Sequence, residues 1–221
     1  MMRWMYRRCW LPIYRRLALH YIRRERRFRF GGLRLTIPPG VFHPGVFFST
    51  PIFLRYLETI DLQDKKILDI GTGSGVMALF AARKGARAAA LDIHPLAVET
   101  ARRNAATLQL QLAVWQSDLF DALPAQQFDY VLINPPYYPR TPETDAERAF
   151  FAGENLEYFE KLFHQLPDYI HAGSRIWMIL SEDCHLEKIQ EIAGRNGFSF
   201  SLVYQKYRWG ERFEIWSIQH A

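Results

Sequence analysis

Ile67-Leu68-Asp69-Ile70-Gly71-Thr72-Gly73-Ser74-Gly75 is the stretch that decides the fold of this chain. A short apolar run of this kind reads as a strand buried on both faces, and three glycines at alternate positions turn it sharply into the next element. Residues 75–84 have the composition of a helix, with Gly85 just past its end as a C-cap. The alternation repeats outward from here. Strands are expected at 66–70, 88–92, 112–116, 129–134 and 174–180, and helices at 75–84, 95–108, 154–166 and 184–196, with Gly197 closing the last. Short apolar strands alternating with amphipathic helices predict an α/β fold, a parallel sheet covered on both faces. After Gly197 the pattern changes. Residues 198–208 and 211–219 are aromatic and β-branched runs joined through Trp209-Gly210-Glu211, which predicts an antiparallel hairpin. A doubly wound sheet ending in a hairpin departs from the six parallel strands of a dinucleotide-binding domain.

A chain of 221 residues, 49% of them apolar, can bury one substantial core. The expected division is a basic extension over 1–34 and one domain over 35–221. No apolar run approaches the roughly 18 residues needed to span a bilayer, and no secretory signal is apparent. Cys9 and Cys184 lie far apart without metal-ligand spacing, which suggests two reduced thiols in a cytoplasmic protein. Charge is unevenly spread. Residues 1–34 hold eleven arginines against Glu25 alone, a formal +10, while the remainder carries 17 basic and 22 acidic residues, a formal −5. Within the arm Tyr14, Leu17, Ala18, Tyr21 and Ile22 recur at helical spacing, with Arg15, Arg16, Arg23, Arg26 and Arg27 on the other face. Three readings stand side by side: a helix docked on the body with a solvated basic face, a contact surface for nucleic acid or another acidic partner, and a membrane-surface helix or organelle presequence.

The glycine loop alone is shared by nicotinamide, flavin and adenosylmethionine enzymes. Its spacing is G-x-G-x-G, without the third glycine position of the G-x-G-x-x-G fingerprint, and Asp69 sits two residues before it. A carboxylate there opposes a bound pyrophosphate but attracts the ammonium and sulfonium of S-adenosylmethionine. Asp92 ends the next strand, 21 residues after Gly71, where it can accept both ribose hydroxyls. Asp118, in Gln116-Ser117-Asp118-Leu119-Phe120, is placed to accept from the adenine amino group. Thr72, Ile93 and Leu119 border these acids, so the expected cofactor contacts are Asp69, Gly71, Thr72, Gly73, Gly75, Asp92, Ile93, Asp118, Leu119 and Asn134.

Asn134-Pro135-Pro136-Tyr137 closes the fourth strand. The Asn134 side-chain oxygen and the Pro135 carbonyl can each accept a hydrogen bond from one NH₂ group, which aims the nitrogen lone pair at a methyl donor. The prolines fix φ and donate nothing, so these acceptors are preorganised. Tyr137 can stack on a planar amide or base. The four residues are the expected catalytic set, and no strong base is needed when alignment and desolvation carry the rate.

The stretch from about residue 40 to 181 resembles the class I methyltransferases of the HemK type, the release-factor glutamine methyltransferases, and the related small-domain nucleic-acid N-methyltransferases. The matching runs are residues 68–75, 91–98, 103–105 and 117–120, then Phe128 to Tyr137, and the glycine-containing segment 149–157. The resemblance implies a Rossmann-like, seven-stranded, mostly parallel sheet with an antiparallel last strand, S-adenosyl-L-methionine as cofactor, and an acceptor bound at 134–137. It implies a macromolecular partner, a release factor, a ribosome-associated protein or RNA. The clamp does not separate a glutamine amide from an exocyclic amine of adenine or guanine, since both present a planar NH₂. A small-molecule amine, a non-catalytic cofactor-binding module and a nicotinamide oxidoreductase are the remaining readings. Residues 42–50 match only loosely the segment that closes over the methionine end in that family. His43 within them is the one histidine expected near the site, in a structural or solvent-facing role.

Overall fold

The computed structural model describes Leu17 and residues 20–143, 147, 149–208 and 210–221. The helix expected over Tyr14–Ile22 lies largely outside the described residues, as do Cys9 and Trp209.

The chain enters as a two-stranded antiparallel ribbon, β1 (Arg26–Phe30) and β2 (Leu33–Ile37), followed by helix α1 (Ser49–Leu57). Then come β3 (Lys66–Ile70), α2 (Val76–Arg83), β4 (Arg87–Asp92), α3 (Pro95–Leu108), β5 (Ala113–Gln116) and β6 (Phe128–Ile133). The second half holds α4 (Glu157–Gln165), a 3₁₀ turn (Leu166–Tyr169), β7 (Ile170–Ser181), α5 (Leu186–Arg195), β8 (Phe198–Arg208) and β9 (Glu211–His220). The main sheet has seven strands in the order β5-β4-β3-β6-β7-β9-β8. Its first five strands pair parallel, and β9 inserts antiparallel between β7 and β8. The terminal hairpin is the predicted one, and it supplies the antiparallel strand of the seven-stranded sheet.

Side-chain alternation splits the core into two layers. Leu68, Ile70, Val131, Ile133, Met178 and Leu180 face α4 and α5. Ile67, Leu132, Trp177 and Ile179 face α1, α2 and the β1–β2 ribbon. Alanines let α2 and α3 sit close to the sheet: Ala78, Ala88, Ala90 and Ala101 pack together with Val98 and Val114.

Two elements go beyond the sequence expectations. The ribbon spans the expected boundary at residue 34, because Leu33, Leu35 and Ile37 are buried in the body, and Leu33 and Leu35 pack with Phe53, Leu79 and Phe80. Helix α1 arises within and after the segment read only as a loop closing on the cofactor. No helix among the described residues is long and apolar enough to cross a membrane.

Candidate active site

The site lies at the C-terminal ends of β3, β4, β5 and β6, where open α/β sheets form their crevice. Gly71, Gly73 and Gly75 all have positive φ (68°, 54° and 84°). Their turn is pinned by the Gly71 and Thr72 amides, which donate to the Leu91 carbonyl at 2.9 and 3.0 Å. A side chain on Gly71 would meet nothing within 4 Å, so this backbone faces open space. At Gly75 a Cβ would stand 3.0 Å from the Ala101 Cβ, so close packing of α2 on α3 also calls for a glycine there.

Asp69 is fully buried beneath the loop. Its Oδ2 accepts from Thr72 Oγ1 (2.7 Å) and from the Ala78 amide in the first turn of α2 (3.2 Å). Its Oδ1 has no partner among the described residues. Burial pushes the carboxyl up to about 7, opposed by the Thr72 and Ala78 hydrogen bonds. Asp92 accepts from the Gly73 amide with Oδ2 (2.8 Å) and from the His94 amide with Oδ1 (2.9 Å). Burial raises this carboxyl too, against those backbone donors. Each Asp92 oxygen keeps a second lone pair for a hydroxyl. Ile93 is half-buried beside it.

Asp118 already carries a cationic partner. Its Oδ2 takes the Lys161 ammonium at 2.7 Å, and Asp121 accepts from the same ammonium at 2.7 Å, because α4 brings Lys161 over the loop after β5. Leu119, next to it, is buried with a positive φ of 52°.

Asn134 comes directly after the last residue of β6, which pairs with β3 through Leu132 opposite Asp69 and Ile133 opposite Ile70. That pairing sets the clamp beside the glycine loop. The Asn134 amide nitrogen donates to Thr50 Oγ1 (3.2 Å), which fixes the side-chain plane and leaves Oδ1 to accept. Pro135 is buried and Pro136 half-buried. The Tyr137 ring packs against the core, and its hydroxyl reaches Ser181 at the end of β7. Burial drives that phenol well above its ordinary range. Tyr137 is therefore anchored to the sheet, with the more exposed Tyr138 ring 4.9 Å away.

The loop before α1 crosses the glycine turn: the Phe42 Cβ lies 3.8 Å from where a Gly73 Cβ would stand. Phe42 stacks on Phe47 at 4.4 Å, and Phe150 from the post-clamp segment lies 5.9 and 5.2 Å from them. His43 is buried between Tyr21 and Phe28 and accepts from the Gly45 amide, a structural position in which burial lowers its basicity.

Four site neighbours escaped sequence reading. Thr50 orients Asn134. His94 caps α3 and stands next to Asp92, so His43 is not the only histidine near the cleft. The Asn104 side chain is buried; it donates to the Ser74 carbonyl and accepts from the Thr36 amide, tying the glycine loop to the ribbon. Tyr158 has a buried hydroxyl without a partner among the described residues, under the electrostatic influence of Asp92, Asp118 and Asp69. Its only sequence signal was a position directly after the matched segment 149–157.

The donors and acceptors left over suit S-adenosylmethionine. Asp69 Oδ1 lacks a donor, the second lone pairs of Asp92 suit a diol, and open backbone at Gly71 admits close approach. Comparison with known proteins gives the same answer. The methyltransferase small domain model matches residues 32–194. A protein named as an N5-glutamine methyltransferase in Methanocaldococcus jannaschii is 30% identical over 156 residues, 68% of this chain and 77% of its own. Ribosomal RNA small subunit methyltransferase C of Chromohalobacter salexigens is 31% identical over 178 residues, 78% of this chain and 50% of its own. In structure, a T. thermophilus 16S rRNA N2 G1207 methyltransferase in complex with AdoMet and guanosine superposes with TM-score 0.65 at 18% identity, covering 90% of this chain and 50% of that one. The chain thus spans about half the length of these last two. On its fold, its leftover acceptors and this match across most of its length, the chain belongs to the methyltransferase small-domain family, whose methyl donor is S-adenosylmethionine.

Proposed function

We propose that the protein methylates a planar amino nitrogen, and that its acceptor is a protein glutamine side chain of the release-factor type. The observation that carries the amino-group reading is the Asn134–Thr50 hydrogen bond at the end of β6. An amide whose nitrogen is turned toward Thr50 directs its oxygen to the opposite side, and an oxygen recognises an N–H. Bound S-adenosylmethionine supplies an electrophilic methyl on a sulfonium. The chain's own residues do the rest. Asp69 and Asp92 hold the charged and ribose portions of the cofactor, with Gly71, Thr72, Gly73 and Gly75 giving backbone access. Ile93, Asp118 and Leu119 border the adenine. Asn134 Oδ1 and the Pro135 carbonyl accept the two N–H bonds of the acceptor and turn its lone pair outward. Pro136 stiffens the turn, and Tyr137 walls it. The nitrogen loses one proton as it gains the methyl, so no strong base is required, and water exclusion by the aromatic loop favours transfer.

The relative from M. jannaschii, of which this chain covers more than two thirds, supports the glutamine acceptor. Such a substrate on a translation factor fits a cytoplasmic enzyme. The alternative acceptor is an exocyclic amine of adenine or guanine in RNA or DNA. It is favoured by the two ribosomal RNA enzymes the chain resembles and by its arginine-rich arm. Transfer of labelled methyl from S-adenosylmethionine into a cell extract, then divided between RNase and protease, separates the two. Label that disappears with protease, survives RNase and is absent with Asn134→Ala supports glutamine. Label that disappears with RNase moves the acceptor to an RNA base.

A further inference from the structure

The outer face of the β1–β2 ribbon carries charge that its own pairing opposes. Arg29 lies directly opposite Arg34, and Arg27 lies opposite Thr36. All three arginines are exposed, while Phe28, Phe30, Leu33, Leu35 and Ile37 take the inner face. Like charges facing one another across strands are destabilising, and no acid among the described residues pairs with Arg27, Arg29 or Arg34. The local acid, Glu25, is drawn off to Arg103 on α3 at 3.4 Å. The ribbon's turn is held by Arg83, which donates to the Gly32 carbonyl at 2.9 Å and adds a further guanidinium there. A surface concavity at this turn is lined by Arg29, Gly31, Gly32 and Arg34.

The stripe has a direction. Arg27 and Arg29 are about 6.6 Å apart along one face of the strand. Arg26 pairs with Ile37, the last residue of β2, and five residues later Phe42 lies on the glycine loop. Exposed Arg23 and Arg24 extend the charge at that same end. A row of guanidiniums therefore climbs from the ribbon's turn toward the mouth of the cofactor cleft, on a chain whose residues 35–221 are net acidic.

We propose that this arginine face is a docking surface for the phosphate backbone of RNA. The basic residues of 1–34 are all arginine, with no lysine, and the planar guanidinium fork is the group suited to bidentate phosphate contacts. A membrane surface would use an apolar face beside the charges, and the apolar face of this ribbon is already spent inside the fold. The inference deepens the reading of the arm as a contact for an acidic partner and is independent of which atom receives the methyl.

The test is binding, without methyl transfer, of a labelled single-stranded RNA to the full chain over a salt series, compared with the variant R27Q/R29Q/R34Q. Removing three phosphate contacts should flatten the plot of log affinity against log salt by about 2, at roughly 0.7 per contact. RNA affinity should fall at least tenfold at about 0.1 M salt. The melting temperature should hold or rise, because repulsion is relieved, and S-adenosylmethionine affinity should not change. A structural role would instead lower the melting temperature along with RNA binding, and that result overturns the proposal. So does an unchanged salt slope. Should the triple variant not fold, R34Q alone should flatten the slope by about 0.7. Tighter binding to phosphatidylglycerol vesicles than to RNA would reassign the surface to membrane. Equal binding of polyglutamate would reassign it to an acidic protein.

Discussion

Asp69 is a buried carboxyl whose ordinary value of 3.8 is raised to about 7 by burial. The folded chain thus holds this proton more tightly than the unfolded chain. The resulting stability is full below pH 3.8 and is lost as pH rises through about 7. A cationic cofactor calls for the ionised form. S-adenosylmethionine affinity should therefore weaken as pH falls below about 7, by up to about tenfold per pH unit, and Asp69→Asn should abolish that dependence; calorimetric titration from pH 5.5 to 8 would read it. Asn134→Ala should lower kcat by about 10²-fold or more with cofactor affinity near normal, while Asp92→Ala should weaken cofactor binding and spare kcat at saturation. Full turnover in the Asn134 variant would remove the clamp from the mechanism. Asp69, Asp92 and Asn134 were legible because each falls within one residue of the C-terminal end of an apolar strand, which in such a sheet is where the crevice forms. Thr50, Asn104 and Tyr158 were not legible, because each reaches the site from an element distant in sequence. Lys161 belongs with them: its capture of Asp118 depends on where α4 docks.

At the scale of elements, the strand and helix expectations of the central sheet agree with the structure to within a few residues. They failed at the ribbon and at α1. Residues 26–37 carry a hairpin signature, alternating apolar and polar positions around Gly31-Gly32, but the arginines on its outer face read as part of a charged arm. Packing between elements is tested at two positions. Gly75→Ala puts a Cβ 3.0 Å from Ala101 at φ 84°, and should cost about 1–3 kcal/mol in chemical denaturation. Asn104→Ala strands the Ser74 carbonyl and the Thr36 amide, at about 2–4 kcal/mol, and should also loosen the cofactor because the glycine turn loses its brace. A stability loss with unaltered cofactor affinity would confine Asn104 to packing.

For the whole molecule, the ribbon packs as part of the body across the expected boundary at residue 34. Residues 20–25 touch the body through the Tyr21–His43 contact and the Glu25–Arg103 pair, whereas Leu33, Leu35 and Ile37 lie within it. Removing residues 1–24 should leave a cooperative melt and intact S-adenosylmethionine binding. Removing 1–40 withdraws three core side chains worth about 1.5–3 kcal/mol each, along with the ribbon's hydrogen bonds, and should abolish cooperative unfolding. A stable, cofactor-binding product of the longer truncation would return the ribbon to the arm.

The sequence by itself determined the alternating α/β order, the glycine turn after a buried acid, the terminal hairpin and the rigid Asn134-Pro135-Pro136 turn at the end of β6. These are local matters of periodicity, φ restriction and strand ends. Tertiary structure alone decided that β9 inserts between β7 and β8, that Thr50 holds the Asn134 amide nitrogen, and that Asn104 couples the ribbon to the glycine loop. It also decided that Arg29 and Arg34 face each other across the ribbon. Register and docking bring together residues that sit far apart along the chain, and no spacing within a single segment encodes that.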